Sequence, residues 1–220
     1  MARDTFNKIA PEKRERVLRE AAWLFAKGGY AHTDMAQLAS KARVSKGSLY
    51  DYFENKEDLY LQVCRYALER SRAAVYGDID PDWDIHDQVA HIFRRGLEFA
   101  EAHPEYVAMY VNVSSAGMEQ FADKVSLEVE QFTSAHLKEL IRAGIEKGVV
   151  EPRIDVNLAA FLINSLYVMF MISLVSRHFR IRIKEYLAID GDVDAAAIEQ
   201  HLERTIELIQ NILKTGGGNG

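Results

Sequence analysis

Thr33-Asp34-Met35-Ala36-Gln37-Leu38-Ala39, and after it Val44-Ser45-Lys46-Gly47-Ser48-Leu49-Tyr50-Asp51-Tyr52-Phe53, decide how this chain of 220 residues folds. Thr33 is placed to cap a short helix whose inner face is Met35, Leu38, Ala39 and Ala42. Arg43-Val44-Ser45 then turns the chain, with Val44 as the apolar plug. Ser45 caps a second short helix whose inward residues are Leu49 and Phe53. Two short helices joined by a tight turn, with small apolar residues at their crossing, predict a helix-turn-helix.

The outward residues of the second helix carry the chemistry. Lys46, Gly47, Ser48, Tyr50 and Tyr52 are predicted to face solvent near its N-terminal end, the part that such helices present to base edges in the major groove. Lysine reaches phosphate or guanine acceptors, and Gly47 lets backbone approach closely. Tyrosine hydroxyls bind phosphates, while the rings meet thymine methyls. The plainer alternative is a helical hairpin with a solvated face, which leaves two exposed tyrosines on a short helix without a reason.

The sequence resembles the TetR family of bacterial transcriptional regulators over about residues 11–70. The residues that carry the likeness are Gly29-Tyr30, Thr33 to Ala39, and above all Val44 to Leu59, which ends Glu54-Asn55-Lys56-Glu57-Asp58-Leu59. Beyond them the chain is similar only in length and helix layout. The resemblance implies a homodimer, each subunit with a three-helix DNA-reading head and a larger helical body holding an effector pocket. By position it also implies that Thr33, Ser45, Ser48, Tyr52 and Lys56 are phosphate anchors, with Lys46, Gly47 and Tyr50 nearest the bases. Two positions depart from the family's usual pattern. Arg43 stands where a glycine commonly allows a left-handed turn, a conformation that costs about 1 kcal/mol for a residue with a Cβ. Asp51 puts an acid on the recognition helix, where it accepts from a cytosine amino group or points away.

Around this stretch the periodicity is helical almost everywhere. Val17, Leu18, Ala21, Ala22, Leu24 and Phe25 predict an amphipathic helix over residues 11–27, opened by Pro11 and ended by Gly28-Gly29. Further helices are predicted at about 34–41, 46–52, 56–76, 84–102, 104–114, 118–147, 154–177 and 194–213. Strand alternation bounded by tight-turn dipeptides is absent, so the fold class is all-α. The expected organisation is a DNA-binding domain over 1–55, a helical effector-binding and dimerisation domain over 56–215, and a disordered glycine-rich tail at 216–220. Arg3 and Lys8 precede the first helix, as a solvated tail or as an arm near the minor groove.

The chain carries 27 Lys+Arg against 33 Asp+Glu, and a net charge of −6 taken alone speaks against nucleic acid. Its distribution says the opposite. Residues 1–50 hold 10 basic and 5 acidic side chains, net +5, whereas residues 71–220 hold 14 and 23, net −9. Cys64 is the lone cysteine, so neither a disulfide within the chain nor a cysteine-rich zinc site is available. That usage, and an N-terminus with no signal-peptide pattern, predict a cytoplasmic protein.

An enzyme is not expected. No Glu-x-x-His pair suits a di-iron bundle, no glycine-rich phosphate loop follows a strand, and Cys64 has no evident partner base. Cofactors and metals are likewise not called for. Asp87 and His91, four apart on a helix, supply two ligands where a structural site needs more.

Residues 156–176 run for 21 positions without a charge, long enough to span a bilayer. Asn157, Asn164, Ser165, Ser173 and Ser176 interrupt them, and a central or interface helix is expected in place of a membrane span. The last helix carries Ile198, Leu202, Ile206, Ile209 and Leu213 on one stripe. With Phe161 and Leu162 this stripe is predicted to form a symmetric four-helix dimer interface. Phe93, Phe99, Tyr106, Met109, Tyr110, Phe132 and His136, closed by Asn164, Tyr167 and Met171, are the candidate lining of a pocket for a small amphiphilic or aromatic effector. The alternative for each is a place in a packed core with its polar tip satisfied. The sequence thus reads as a ligand-responsive repressor that binds a palindromic double-stranded operator as a homodimer. An activator of the same fold, or a binding protein with an unused head, are the alternatives.

Overall fold

A computed structural model describes residues 3–115 and 117–214 of the chain, and the expected disordered tail at 216–220 lies outside the described residues. Among the described residues the regular structure is helical throughout: α1 (Asp4–Asn7), α2 (Pro11–His32), α3 (Met35–Ala42), α4 (Lys46–Tyr52), α5 (Lys56–Tyr76), α6 (Ile85–Ala102), α7 (Pro104–Val113), α8 (Glu119–Glu146), α9 (Val156–Val175), α10 (Arg177–Leu187) and α11 (Ala195–Leu213). The chain divides into two compact units, one of residues up to Arg70 with His103–Glu128, the other of Ser71–Ala102 with residues from Val129 onward. The first unit is therefore larger than a head ending at residue 55.

In the first unit α2 begins with Pro11 in its first turn and buries Val17, Leu18, Ala21, Ala22 and Phe25 on one face. Gly29, at φ 70° and ψ 169°, breaks the helical path that resumes briefly as far as His32. That backbone is open to glycine and closed to most other residues, so the predicted stop at the glycine pair is where the geometry changes. The Arg16 side chain donates from Nε to the Ala42 carbonyl at 3.0 Å, tying α2 to the end of α3. Asn112 of α7 donates to the Phe25 and Ala26 carbonyls, each at 3.3 Å. Phe25, Tyr30, Tyr60 and Phe121 form an aromatic cluster with ring centroids 4.6–6.2 Å apart. Edge-on arrangements of this kind add to the area that the rings bury.

Two expectations for this unit are corrected. Asp34, not Thr33, caps α3, its carboxylate accepting from the Ala36 N–H at 2.8 Å. Thr33 is 6% exposed and turns its hydroxyl back onto α2. The second concerns the N-terminus, where a tail or a free arm was expected. Residues 4–7 form α1, and Phe6, 1% exposed, lies 4.7 Å from the Phe53 ring and 5.6 Å from that of Tyr52. Phe6 is the buried anchor of a segment too short to carry a periodic signal.

In the second unit α6 packs against α9 and α11, and α9 also contacts α10. Asp155 caps α9 through the Asn157 and Leu158 N–H groups, and Asp194 caps α11 through that of Ala197. The Tyr167 ring lies directly on the bare backbone of α6, since a Cβ at Gly96 would stand 2.3 Å from its Cε2. Helix α10 was not anticipated. It buries Ile183 alone, so no apolar stripe announces it, and Arg180 holds it to α9 by donating to the Ser173 and Leu174 carbonyls at 3.2 and 2.7 Å.

The stripe on α11 also needs correction. Ile198, Leu202, Ile206, Ile209 and Leu213 are all within 4% of full burial inside their own unit, so they are core and cannot be the dimer surface. A helix spends its most regular apolar face on its own fold first. The outward face carries Leu208 and Ile212, and α9 adds Leu158, Phe161, Leu162 and Leu166, with Phe161 67% exposed. Helix α9 is long and apolar enough to cross a membrane by length and composition, with a mean hydropathy of 2.2.

Candidate nucleic-acid interface

The interface is built on α4, which Ser45 opens. Its hydroxyl oxygen accepts from the Ser48 N–H at 2.9 Å, and the two serine hydroxyls lie 2.8 Å apart. Before it, Arg43 occupies the left-handed region at φ 55° and ψ 49°, as the family resemblance implied. Its N–H closes on the Ser40 carbonyl at 3.2 Å, and that of Val44 on Ala39 at 3.0 Å. Leu49 and Phe53 are fully buried beneath the helix. This seating turns Ser45, Lys46, Gly47 and Tyr50 outward, with Ser48 half-buried among them and Asp51 exposed.

Tyr52 does not join them. It was expected outward, yet it is 6% exposed, with its ring against Phe6 and the Lys13 ammonium 5.6 Å above it. The arc of 200° from Tyr50 to Tyr52 on a helix of 3.6 residues per turn carries one of the pair inward. Two further residues with an expected outward role have partners within the head. The Thr33 hydroxyl donates to the Gly29 carbonyl at 2.8 Å. The Lys56 ammonium donates to the Ala31 and Thr33 carbonyls at 3.1 and 3.3 Å and sits 4.6 Å from the Tyr30 ring centroid.

The far end of α4 has partners that sequence reasoning missed. Arg3 donates from its backbone N–H to the Tyr52 carbonyl at 2.9 Å and from Nη1 to that of Tyr50 at 3.0 Å. The Thr5 hydroxyl donates to the Asp51 carbonyl. No sequence signal pointed to these, because a basic residue near a terminus reads the same whether it floats or docks.

The candidate effector residues fall in both units. In the second, the Phe93 ring meets that of Tyr167 edge-on at 5.5 Å, and Phe132 stacks on His136 at 6.3 Å. Tyr76 stands edge-on to both of the latter, at 5.2 and 5.1 Å, and the Arg72 guanidinium lies 4.2 Å from the Phe132 centroid. Tyr76 and Arg72 were not anticipated, although their place on α5 one turn apart was visible. Phe99 and Asn164 are half-buried and Met171 is buried. Burial lowers the His136 pKa below its ordinary value, opposed by Glu139, and its Nε2 is buried without a hydrogen-bond partner. Tyr106, Met109 and Tyr110 belong to the first unit, where Tyr106 faces Tyr66 at 6.3 Å.

A cavity of about 150 Å³ in the first unit is lined by α5 and α8, with Leu61, Cys64 and Leu68 opposite Val125. Burial pushes the Cys64 thiol up to about 12. His91 pairs with Asp78 at 3.0 Å instead of with Asp87, and the described residues hold no cluster of three metal-ligating side chains.

Residues 17–63 match the family model for bacterial regulatory proteins of the tetR family. An uncharacterised HTH-type transcriptional regulator of Bacillus subtilis, YhgD, is 25% identical over 167 residues, covering 76% of this chain and 86% of that protein. The HTH-type transcriptional repressor NicS of Pseudomonas putida is 24% identical over 162 residues, covering 71% and 74%. A TetR transcriptional regulator of Chloroflexus aurantiacus solved at 1.80 Å superposes with a TM-score of 0.73 at 22% identity, over 93% of this chain and 98% of that one. At that identity the superposition establishes a shared fold.

Proposed function

We propose that this chain is a TetR-family transcriptional regulator, a cytoplasmic repressor that binds a palindromic operator as a homodimer and is released by a small effector. The observation that carries the DNA-reading part is the seating of α4. Burial of Leu49 and Phe53 leaves Lys46, Gly47 and Tyr50 exposed at the N-terminal end of the helix, on a segment with net charge +5. Lys46 and Tyr50 meet base edges, and Ser45 and Ser48 meet phosphates. A Cβ at Gly47 would lie an ordinary 3.7 Å from the Ser45 hydroxyl oxygen, so the head itself does not require glycine there. The space is left for the groove of DNA. Thr33, Tyr52 and Lys56 serve the same surface by holding the head together.

The homodimer is supported by the outward apolar face of α9 and α11. Two such faces related by a two-fold axis cover each other, and a palindromic operator offers its half-sites to two recognition helices about 34–36 Å apart, one turn of DNA. The same pairing accounts for a helix apolar enough for a membrane in a chain with no membrane role. The effector is a small aromatic or amphiphilic molecule held near Tyr76, Phe132, His136 and Tyr167. Helix α5 buries Tyr60 and Val63 in one unit and carries the half-buried Arg72 and Tyr76 in the other, and it is the element that an effector displaces.

The test is enrichment of duplexes from a random-sequence library by the full chain, followed by titration of the enriched duplex. Lys46→Ala with Tyr50→Ala is expected to abolish specific binding while leaving the association state unchanged. Affinity is expected to fall steeply between roughly 50 and 200 mM salt. Specific binding retained by the double variant, or affinity indifferent to salt, overturns the assignment.

A further inference from the structure

We propose that the N-terminal segment Arg3–Phe6 is a positioning clamp on the recognition helix: it holds the C-terminal end of α4 and so sets how Lys46 and Tyr50 are presented to DNA, an inference that rests on the DNA-reading role proposed above. A helix leaves its last four carbonyls without partners inside the helix. In α4 these belong to Leu49, Tyr50, Asp51 and Tyr52. The Phe53 N–H takes the first at 2.8 Å. The N-terminal segment takes the other three: Arg3 Nη1 on Tyr50, the Thr5 hydroxyl on Asp51, and the Arg3 backbone N–H on Tyr52. No orphan acceptor is left at this end.

Packing and charge act in the same direction. Phe6 is wedged against Tyr52 and Phe53, which fixes where Arg3 and Thr5 stand. The Arg3 guanidinium lies at the negative end of the helix dipole, where a cation is stabilising. The helix needs such help. It is 7 residues long, about two turns, and isolated helices below about 12 residues are marginal in water. Ser45 anchors its beginning by one side-chain cap, and the end is held by residues more than 40 positions earlier in the chain.

Arg3 thus acts through the Tyr50 backbone, and this separates it from an arm that reaches into a DNA groove. A groove-contacting arginine releases a counterion and adds about one to the salt slope of binding. A clamp adds nothing to that slope. Its loss instead frays α4 and weakens specific recognition, while phosphate-driven binding to any duplex persists.

The experiment compares the full chain with Arg3→Ala, Arg3→Lys and Thr5→Val. It measures affinity for the enriched duplex and for a scrambled duplex across a salt series, and backbone amide exchange across α4 in the DNA-free protein. Arg3→Ala and Thr5→Val are expected to lower the ratio of specific to scrambled affinity by about tenfold, the scale of one lost hydrogen bond to a positioned group. The salt slope stays unchanged, α4 exchanges faster, and Arg3→Lys restores most of the ratio. A salt slope reduced by about one per head with α4 protection unchanged makes Arg3 a DNA contact and overturns the clamp. Equal losses on both duplexes, or no loss on either, also overturn it. If the wild-type chain enriches no duplex, the functional reading fails and the clamp's role in recognition fails with it. Amide protection in the free protein then shows whether the segment holds α4 at all, which tells the two failures apart.

Discussion

Replacing Phe161 with alanine removes the most exposed large apolar side chain of α9, at 67% exposure in the single subunit. A phenylalanine buries about 200 Å² when fully covered, so a second copy seated on this face would remove about 130 Å² from water at Phe161. At about 25 cal/mol per Å² that contributes about 3 kcal/mol, of which alanine retains about 1 kcal/mol. The loss is about 2 kcal/mol per subunit, and the two-fold axis doubles it to about 4 kcal/mol. Since about 1.4 kcal/mol is a factor of ten, the dimer dissociation constant is expected to rise roughly a thousandfold. Sedimentation velocity over a concentration series reads this directly. Far-UV circular dichroism at 25 °C separates dissociation from unfolding, because the side chain is mostly outside the subunit core and the helices should remain. A dissociation constant within threefold of the wild-type value would refute the placement of this face at the dimer interface.

The remaining predictions concern the interior. Leu202→Ala, at a fully buried position on α11, is expected to cost about 2–5 kcal/mol in denaturant unfolding while leaving the association of the folded chain unchanged. The Cys64 thiol is buried and its pKa is raised to about 12, so Ellman's reagent should titrate no thiol in the native chain and one in denaturant; one equivalent reacting within minutes in the native chain would contradict its burial. His136 has its pKa lowered by burial below the ordinary 6.5, so between those two values the unfolded chain binds the extra proton. Stability is therefore expected to fall as pH drops below about 6.5 and to level off beneath the folded-state value. In His136→Gln, thermal melting from pH 7 to 5 should lose that part of the slope.

How much of this was legible in the sequence depended on whether a residue's partner was nearby. Helices α4 and α5 follow the predicted boundaries of 46–52 and 56–76, because capping and apolar spacing act within a few residues. The left-handed Arg43 was legible only through the family resemblance, which places a glycine at that position. Helix α10 was not, because its one buried residue leaves no period to detect. The α11 stripe was read correctly as an apolar face and placed wrongly, since periodicity marks a face that is buried without saying by what. Only the elements packed against α11 settle that, and they are α6 and α9. The Arg3 guanidinium likewise finds its partner 47 positions away, and nothing local distinguishes a docked arginine from a solvated one.

The motif itself divides on the same line. Thr33, Tyr52 and Lys56 have the chemistry of phosphate anchors, and the fold already uses all three. Freeing the Lys56 ammonium for a phosphate would leave the Ala31 and Thr33 carbonyls and the Tyr30 face without their cation, and charged hydrogen bonds of this kind contribute about 1.5–3 kcal/mol. Thr33 would have to leave a buried site, and Tyr52 would have to leave the ring of Phe6. Each exchange trades a contact present in every copy of the head for one present only on DNA. The side chains without such commitments are those of Lys46 and Tyr50, which α4 turns outward beside the exposed Gly47. A motif of this kind can therefore be kept for folding at some positions while others vary with the DNA sequence to be read. Lys56→Ala should then lower the stability of the head more than the salt slope of DNA binding, whereas Lys46→Ala should do the reverse.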